Sequence, residues 1–465
     1  MSHASLLRFG FNPLRGLVVI ALFCAAFPNL PAPVRVARAA SFLHVKPGGA
    51  GSCGSWADAC ALQTALGKAI SGDEIWVASG VYTPGAAITA TFQLTSGVAL
   101  YGGFAMTETA RAERNPAANV TVLSGDIDGN DRTDPHGVVT STANLTGTNA
   151  YHVVTGSGVT TAVLDGFTVT GGNANGANLN DYSGGGMYNS GGSLTLTNVT
   201  FSGNAATGGG GIANFGAGMV TVANSTFSAN RATDVGGGIA NIGAGMVTVT
   251  NSTFSGNSAG NGGGIDSGGA LTVTNSTFSG NSADYGGGIY NETGTVMMTN
   301  STFSGNSATD YGGGIVNIGA ATVTNSTFSG NGAGILGGGI VIDGGAATVT
   351  NSLIANSTGN NCAGTIGGAS SLADDGTCGN GFTNSASIRL GALGNYGGST
   401  QTIPLLPGSA AIDAGDDATC AAAVGSPNYG AGGKDQRGVA RPQGAHCDIG
   451  AFESVWVFLP LVIKP

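Results

Sequence analysis

Residues 236–257 read Gly-Gly-Gly-Ile-Ala-Asn-Ile-Gly-Ala-Gly-Met-Val-Thr-Val-Thr-Asn-Ser-Thr-Phe-Ser-Gly-Asn, and variants of this line fill the chain from Gly184 to Asn356. The residue after the glycines is Met187, Ile212, Ile239, Ile265, Ile289, Ile315 and Ile340. The aromatic that follows is Phe201, Phe227, Phe254, Phe278, Phe303 and Phe328, with Ile354 in the last copy. Three residues further on stands Asn204, Asn230, Asn257, Asn281, Asn306, Asn331 and Asn356. Steps between equivalent residues run from 24 to 27. A fixed period of this length signals stacked units, each touching only its neighbours.

The local pattern says which kind of unit. Thr248-Val249-Thr250 and Thr272-Val273-Thr274 alternate polar and apolar with period two, which is strand and not helix. Glycine and asparagine between the short strands tolerate positive φ and supply the bends. Three short strands and three bends use up about 25 residues, one coil of a parallel β-solenoid, with successive coils about 4.8 Å apart. Ile, Val and Phe then pile on like residues inside, and the repeated Asn forms an amide ladder at one corner. A disordered Gly/Ser/Asn linker would not keep apolar residues in register. The expected fold is an all-β, right-handed parallel β-helix.

Outward from the array, residues 1–39 read as an export signal. Arg8 and Arg15 precede the apolar run Gly16–Phe27, and Ala37-Arg38-Ala39 offers a small-residue cleavage site. The run is too short to span a bilayer. The expected location is secreted or on the cell surface, with no transmembrane helix after cleavage. That segment carries four of the 15 basic residues and none of the 25 acidic ones, so the charge falls from −10 to −14 on its removal. An exterior this acidic argues against nucleic acid and anionic lipid as partners. Six cysteines remain: Cys53, Cys60, Cys362, Cys378, Cys420 and Cys447. An even number after export suits disulfides, and proximity favours 53–60, 362–378 and 420–447 among the fifteen possible pairings. A zinc site lacks a Cys-x2-Cys or a neighbouring His pair.

Residues 40–115 form the N-terminal cap and first coils. Within them 57–70 is the predicted helix, with Leu62, Leu66, Ala69 and Ile70 on one face, short enough to cover the open end of the apolar column. Residues 116–183 are irregular coils carrying an acidic loop. There Asp126, Asp128, Asn130 and Asp134 alternate side-chain oxygens around a glycine, the pattern of a calcium loop, although an EF-hand's spacing and closing Glu are missing. The competing reading is a solvated turn.

Within the regular repeats, 184–360, two outward rows are candidates for function. Asp284-Tyr285 and Asp310-Tyr311 precede the glycines of adjacent coils, with Asp234 and Asp181-Tyr182 at related places. Tyrosines stacked beside carboxylates can grip a sugar ring or a cation. The threonine pairs 195/197, 248/250, 272/274, 322/324 and 348/350 would make a hydroxyl lattice of the ice-binding type, broken at Ala223 and Met297; Thr is also simply a good strand former. A polysaccharide lyase abstracts a proton α to a carboxylate and needs a base, yet this span holds Arg231 as its one basic residue and no His. His152 alternates as a packed strand residue. The Asn-Ser-Thr triplets match a glycosylation sequon, but their asparagines read as corners.

The pairing of Gly-Gly-Gly-Ile with Phe-x-x-Asn resembles the GGAI and FxxN repeats of polymorphic outer-membrane proteins, surface adhesins with β-helical passengers. The resemblance covers 184–356 and implies a parallel β-helix displayed at a surface; the C-terminal membrane barrel of those proteins has no counterpart here. The block Gly408–Gly415, Asp435–Gly438 and Cys447–Glu453 looks like the "choice-of-anchor Q" region of bacterial surface proteins. Bottom-up, its Asp413, Asp435, Arg437, Arg441, Asp448 and Glu453 suit a disulfide-tied C-terminal cap spanning 361–454, with a catalytic Asp/Arg cluster as the alternative. The apolar tail 455–465 is too short to cross a membrane. The function expected from all this is a structural, adhesive or glycan-binding module with a polysaccharide or a host or neighbouring cell surface as partner, catalytic residues none. Its runner-up is a calcium-dependent polysaccharide lyase with Asp126, Asp128 and Asp134 on the metal.

Overall fold

The computed structural model describes residues 40–425 and 430–455; residues 1–39, expected to be an export signal, and the tail beyond Val455 lie outside the described residues. The repeats wind into a parallel β-solenoid of about 26 residues per coil. Most coils give one strand to each of three long parallel sheets, named here by the sequence that builds them. The TVT sheet has twelve strands, the TFS sheet twelve and the GGGI sheet ten, with two short three-stranded patches between the last two. Within the repeats the three long sheets keep register: Thr248 pairs with Thr272, Phe254 with Phe278, and Ile239 with Ile265.

The core is a set of columns. Phe227, Phe254, Phe278 and Phe303 stack face to face at 4.6–4.7 Å with interplanar angles of 1–6°. That spacing is imposed by the backbone ladder, since adjacent strands lie about 4.8 Å apart. All six phenylalanines of the column are fully buried. The amide ladder is present as well: Asn257 Nδ2 donates to Asn281 Oδ1 at 2.9 Å, and Asn281 Nδ2 to Asn306 Oδ1 at 2.9 Å. A second ladder that the sequence reading missed runs through Asn189, Asn214 and Asn241, with Asn189 Nδ2 to Asn214 Oδ1 at 2.7 Å and Asn214 Nδ2 to Asn241 Oδ1 at 2.8 Å. The asparagines of the Asn-Ser-Thr triplets turn the corner between the TVT and TFS sheets at positive φ, Asn251 at 50° and Asn275 at 51°. They are corner residues.

The triple glycines divide their work. Gly236 sits at φ +66°, which an L side chain rarely adopts. Gly238 instead stacks so closely that a Cβ would lie 2.5 Å from Gly264 O and 2.9 Å from the Phe254 ring.

The N-terminal helix is shorter than the sequence suggests, covering Leu62–Lys68. Residues 53–60 are instead held by the Cys53–Cys60 disulfide and by bridges of Cys60 to Val45 and Ala50. Leu62, Ala65 and Leu66 face the core, while Ile70 is 48% exposed, outside the predicted face. The other two disulfides are Cys362–Cys378 and Cys420–Cys447, the proximity pairing throughout.

The C-terminal region runs back along the side of the solenoid, over the outer face of the TFS sheet. Asn351 Nδ2 donates to Asp416 O at 3.0 Å, Asn300 Nδ2 to Lys434 O at 3.0 Å, and Thr400 Oγ1 to Asn275 O at 3.0 Å. Its arginines are structural. Arg441, fully buried, donates to Asp448 O and Gly450 O and lies 3.3 Å from Glu453. Arg437 pairs with Asp435 at 2.6 Å and stacks 3.5 Å over the Phe452 ring. Such groups are tolerated inside because their charges are paired and their terminal guanidinium nitrogens bonded, although Arg441 Nε is left without a partner. Among the described residues, no helix is long and apolar enough to cross a membrane.

Candidate functional site

Strand alternation decides what the outer surface of the GGGI sheet presents. Each Ile after the glycines points inward, so the next residue points outward. In register that outer column reads Tyr188, Ala213, Ala240, Asp266, Tyr290, Val316 and Val341. Beside it rises a second column, made of the residues before the glycines: Gly208, Val235, Asn261, Tyr285, Tyr311 and Leu336. Between the two columns runs a groove of about 590 Å³ lined by Asn261, Tyr285, Tyr290, Tyr311, Leu336 and Asp343, with Val316, Ile318 and Val341 at its base.

Tyr285 and Tyr311 form one wall. Their rings are 5.8 Å apart and 22° from parallel, one coil above the other. A hydrogen bond from the Tyr285 hydroxyl to Asp310, together with that carboxylate's charge, raises the phenol's pKa. Tyr285, Tyr311 and Asp310 are therefore brought together. Asp284 is not part of this wall. Alternation turns it to the other side of its strand, where with Arg231, Ser141, Thr142 and Ser258 it lines a separate depression. Tyr182 is also apart: Ser183 bridges Gly208, so Ser183 and not Tyr182 occupies the tyrosine column, several coils below Tyr285.

Sequence reasoning missed the acid one coil before Tyr290, next to the groove's end. Asp266 is 4% exposed, and among the described residues no hydrogen bond or ion pair reaches its carboxyl. Burial first, then the charges of Glu292 and Asp234, push its pKa up to about 8. Glu292 belongs to the next coil, two residues beyond Tyr290, and its Oε2 reaches back over Gly268. Tyr290 is raised by burial and by Asp266, Glu292 and Asp343. The available signal was the outer column itself, where a lone Asp stands among Ala, Tyr and Val.

The acidic loop is differently employed. Asp126 Oδ1 accepts from the backbone of Gly129 and Asn130, and its Oδ2 from Asp131. Asp134 Oδ1 accepts from His136 and Val138, Asp128 Oδ2 from Thr148, and the Asn130 side chain from the Thr146 hydroxyl. These oxygens are spent on folding the loop, and among the described residues no group of three or more His, Cys, Asp or Glu is placed to share a metal ion. The residues present do not fit a calcium cage. His152 Nδ1 contacts Gly184 O at 3.0 Å, and burial lowers its pKa, as for a packed residue. A depression of about 670 Å³ near Arg111 and Arg114 offers no free cation either, since Arg111 pairs with Glu74 and Arg114 with Asp165. The threonine rows lie on the outer face of the TVT sheet, Thr195 and Thr221 exposed, but Thr299 and Thr324 are buried.

A solenoid of parallel coils with stacked core columns defines a class, and the sequence comparison agrees. The family described as "Right handed beta helix region" matches residues 138–320 and 211–386, together more than half of the chain, and the chain belongs to it. Among solved structures it is similar to the crystal structure of pectate lyase Pel9A, with a TM-score of 0.50 and 15% identity over 90% of this chain and 97% of that one. At this identity the likeness is one of fold. No curated protein matches the chain in sequence.

Proposed function

We propose that this protein is an exported surface or secreted module that binds a glycan along the outer groove of its GGGI sheet. The observation that carries the reading is the Tyr285–Tyr311 stack facing Tyr290 across an open groove. Aromatic faces one coil apart offer apolar platforms to the C–H faces of successive pyranose rings, and nearby carboxylates accept from sugar hydroxyls. A groove open along the solenoid axis suits a chain better than a small molecule. Its lining includes no basic residue. That sign of charge disfavours polyuronates and favours neutral or cationic polymers.

The test is calorimetric titration of the mature chain with neutral, acidic and basic oligosaccharides, with and without calcium, beside an absorbance assay for unsaturated uronates. Saturable binding without turnover, weakened about 10-fold by Tyr311→Ala, supports the reading. Release of unsaturated uronate would replace it with the lyase alternative.

A further inference from the structure

We infer that the groove recognises glycans bearing free amino sugars, the ammonium group seating at the groove's end between Asp266, one coil before Tyr290, and Glu292 of the next coil. This rests on the glycan-binding reading above and narrows it to one class of sugar.

Three features of the site point to a cationic ligand. Asp266 is a polar side chain, 4% exposed, that no hydrogen bond or ion pair among the described residues satisfies, and its oxygens are not fully sealed from solvent. A buried polar group without a partner costs stability, and natural structures retain few of them. Its position is outward from the sheet, in register with Tyr290, which lines the groove. Secondly, the groups acting on Asp266 are acidic: Glu292 and Asp234 both raise its pKa, and the groups acting on Tyr290 are Asp266, Glu292, Asp343 and Tyr285. No Lys, Arg or His is among them. Thirdly, Tyr290, on which Asp266 and Glu292 act, lines the same groove as the Tyr285–Tyr311 platform, so one sugar can stack while a neighbouring unit presents its amine to the acids beyond Tyr290.

A metal ion would need three or more ligands converging, and the described residues hold no such group. An ammonium needs less: a primary amine offers three donors that can be shared between one or two carboxylates and a phenolic oxygen. Its charge would also offset the repulsion that Glu292 and Asp234 exert on an ionised Asp266. Below pH 8 Asp266 holds a proton in the free protein. An arriving ammonium favours the carboxylate, so the proton leaves to solvent as the ion pair forms. Binding is thus coupled to release of up to one proton, and no bond of the sugar changes.

The experiment titrates the mature chain, at a pH well below 8, with glucosamine oligomers, their fully N-acetylated counterparts, oligogalacturonides and an oligolysine peptide. Titrations in two buffers of different ionisation enthalpy count the protons released. The glucosamine oligomers should bind at least ~10-fold more tightly than the N-acetylated ones, with proton release. Asp266→Asn should abolish both the preference and the release, and Glu292→Gln should reduce the preference. Equal binding of acetylated and free amino sugars, unaffected by Asp266→Asn, overturns the inference and leaves glycan binding standing. Oligolysine binding as tightly as the amino sugars also overturns it, because the site would then be a general cation surface. If no saccharide binds, both the inference and the reading beneath it fall.

Discussion

Asn257 and Asn281, 24 residues apart in sequence, are joined twice: Asn281 Oδ1 accepts from Asn257 Nδ2 at 2.9 Å and from Asn257 N at 3.0 Å. Asn281 Nδ2 in turn donates to Phe254 O and to Asn306 Oδ1, both at 2.9 Å. One amide thus satisfies backbone and side chain of adjacent coils in the dry interior, where an unmade bond is expensive. Asn281→Ala leaves Asn257 Nδ2, Asn257 N and Phe254 O short of partners and should cost about 3 kcal/mol. Asn281→Asp should cost more, because it buries a charge and replaces the donor by an acceptor facing Phe254 O. Urea denaturation of the three proteins gives the order directly; an Asp variant as stable as the wild type would mean that the ladder is open to water.

The phenylalanine column makes a second quantitative expectation. Phe278 is fully buried between Phe254 at 4.7 Å and Phe303 at 4.6 Å. The backbone ladder fixes that spacing, so the neighbouring rings cannot close over a gap. Phe278→Ala should therefore lie toward the upper part of the usual 3–5 kcal/mol range, and Phe278→Leu near 1.5 kcal/mol. The same denaturation series measures both.

The Cys420–Cys447 disulfide should govern the C-terminal region alone. It closes a loop of 27 residues beside Asn351, whose amide contacts Asp416 O and Cys420 Sγ. Loop entropy of that size is worth roughly 3 to 4 kcal/mol. The Cys420→Ser, Cys447→Ser double variant should expose 386–455 to protease while the coils from 184 to 350 stay protected, since stacked coils draw their stability from their neighbours. Cleavage mapped by mass spectrometry tests this, and early cuts within the repeats would contradict it.

How far the residues announce these features follows from repetition. Phe254, Phe278 and Phe303 state the core because each coil must offer the same side chain to the same neighbours, and the disulfide pairs follow from proximity. The groove is written in a column that does not repeat: Ala240, Asp266, Tyr290 and Val316 share a place and no chemistry, so no period singles Asp266 out. Tyr182 misleads for the opposite reason. Its Asp-Tyr pair matches Asp284-Tyr285 in letters, but it stands one residue further from the glycines, and a one-residue offset turns a strand side chain to the other face. The path of the C-terminal region is invisible locally, since Asn300 meets Lys434 across 134 residues.

Asp266 gives a stability signature of its own, independent of any ligand. Its pKa rises from 3.8 to about 8 on folding, chiefly through burial. The folded protein therefore holds this proton across a range in which the unfolded chain has lost it. Stability falls wherever the unfolded state binds fewer protons, so the group is neutral to stability below pH 4, increasingly unfavourable from about pH 4 to pH 8, and constant above. Asp266→Asn removes the titration while keeping the shape. The Tm of the variant should match the wild type at pH 4 and exceed it by an amount that grows to a few degrees at pH 8. Thermal melts at several pH values along that range decide the matter. A constant difference would mean that Asp266 is ionised in the folded state throughout, with its charge already compensated in the folded chain.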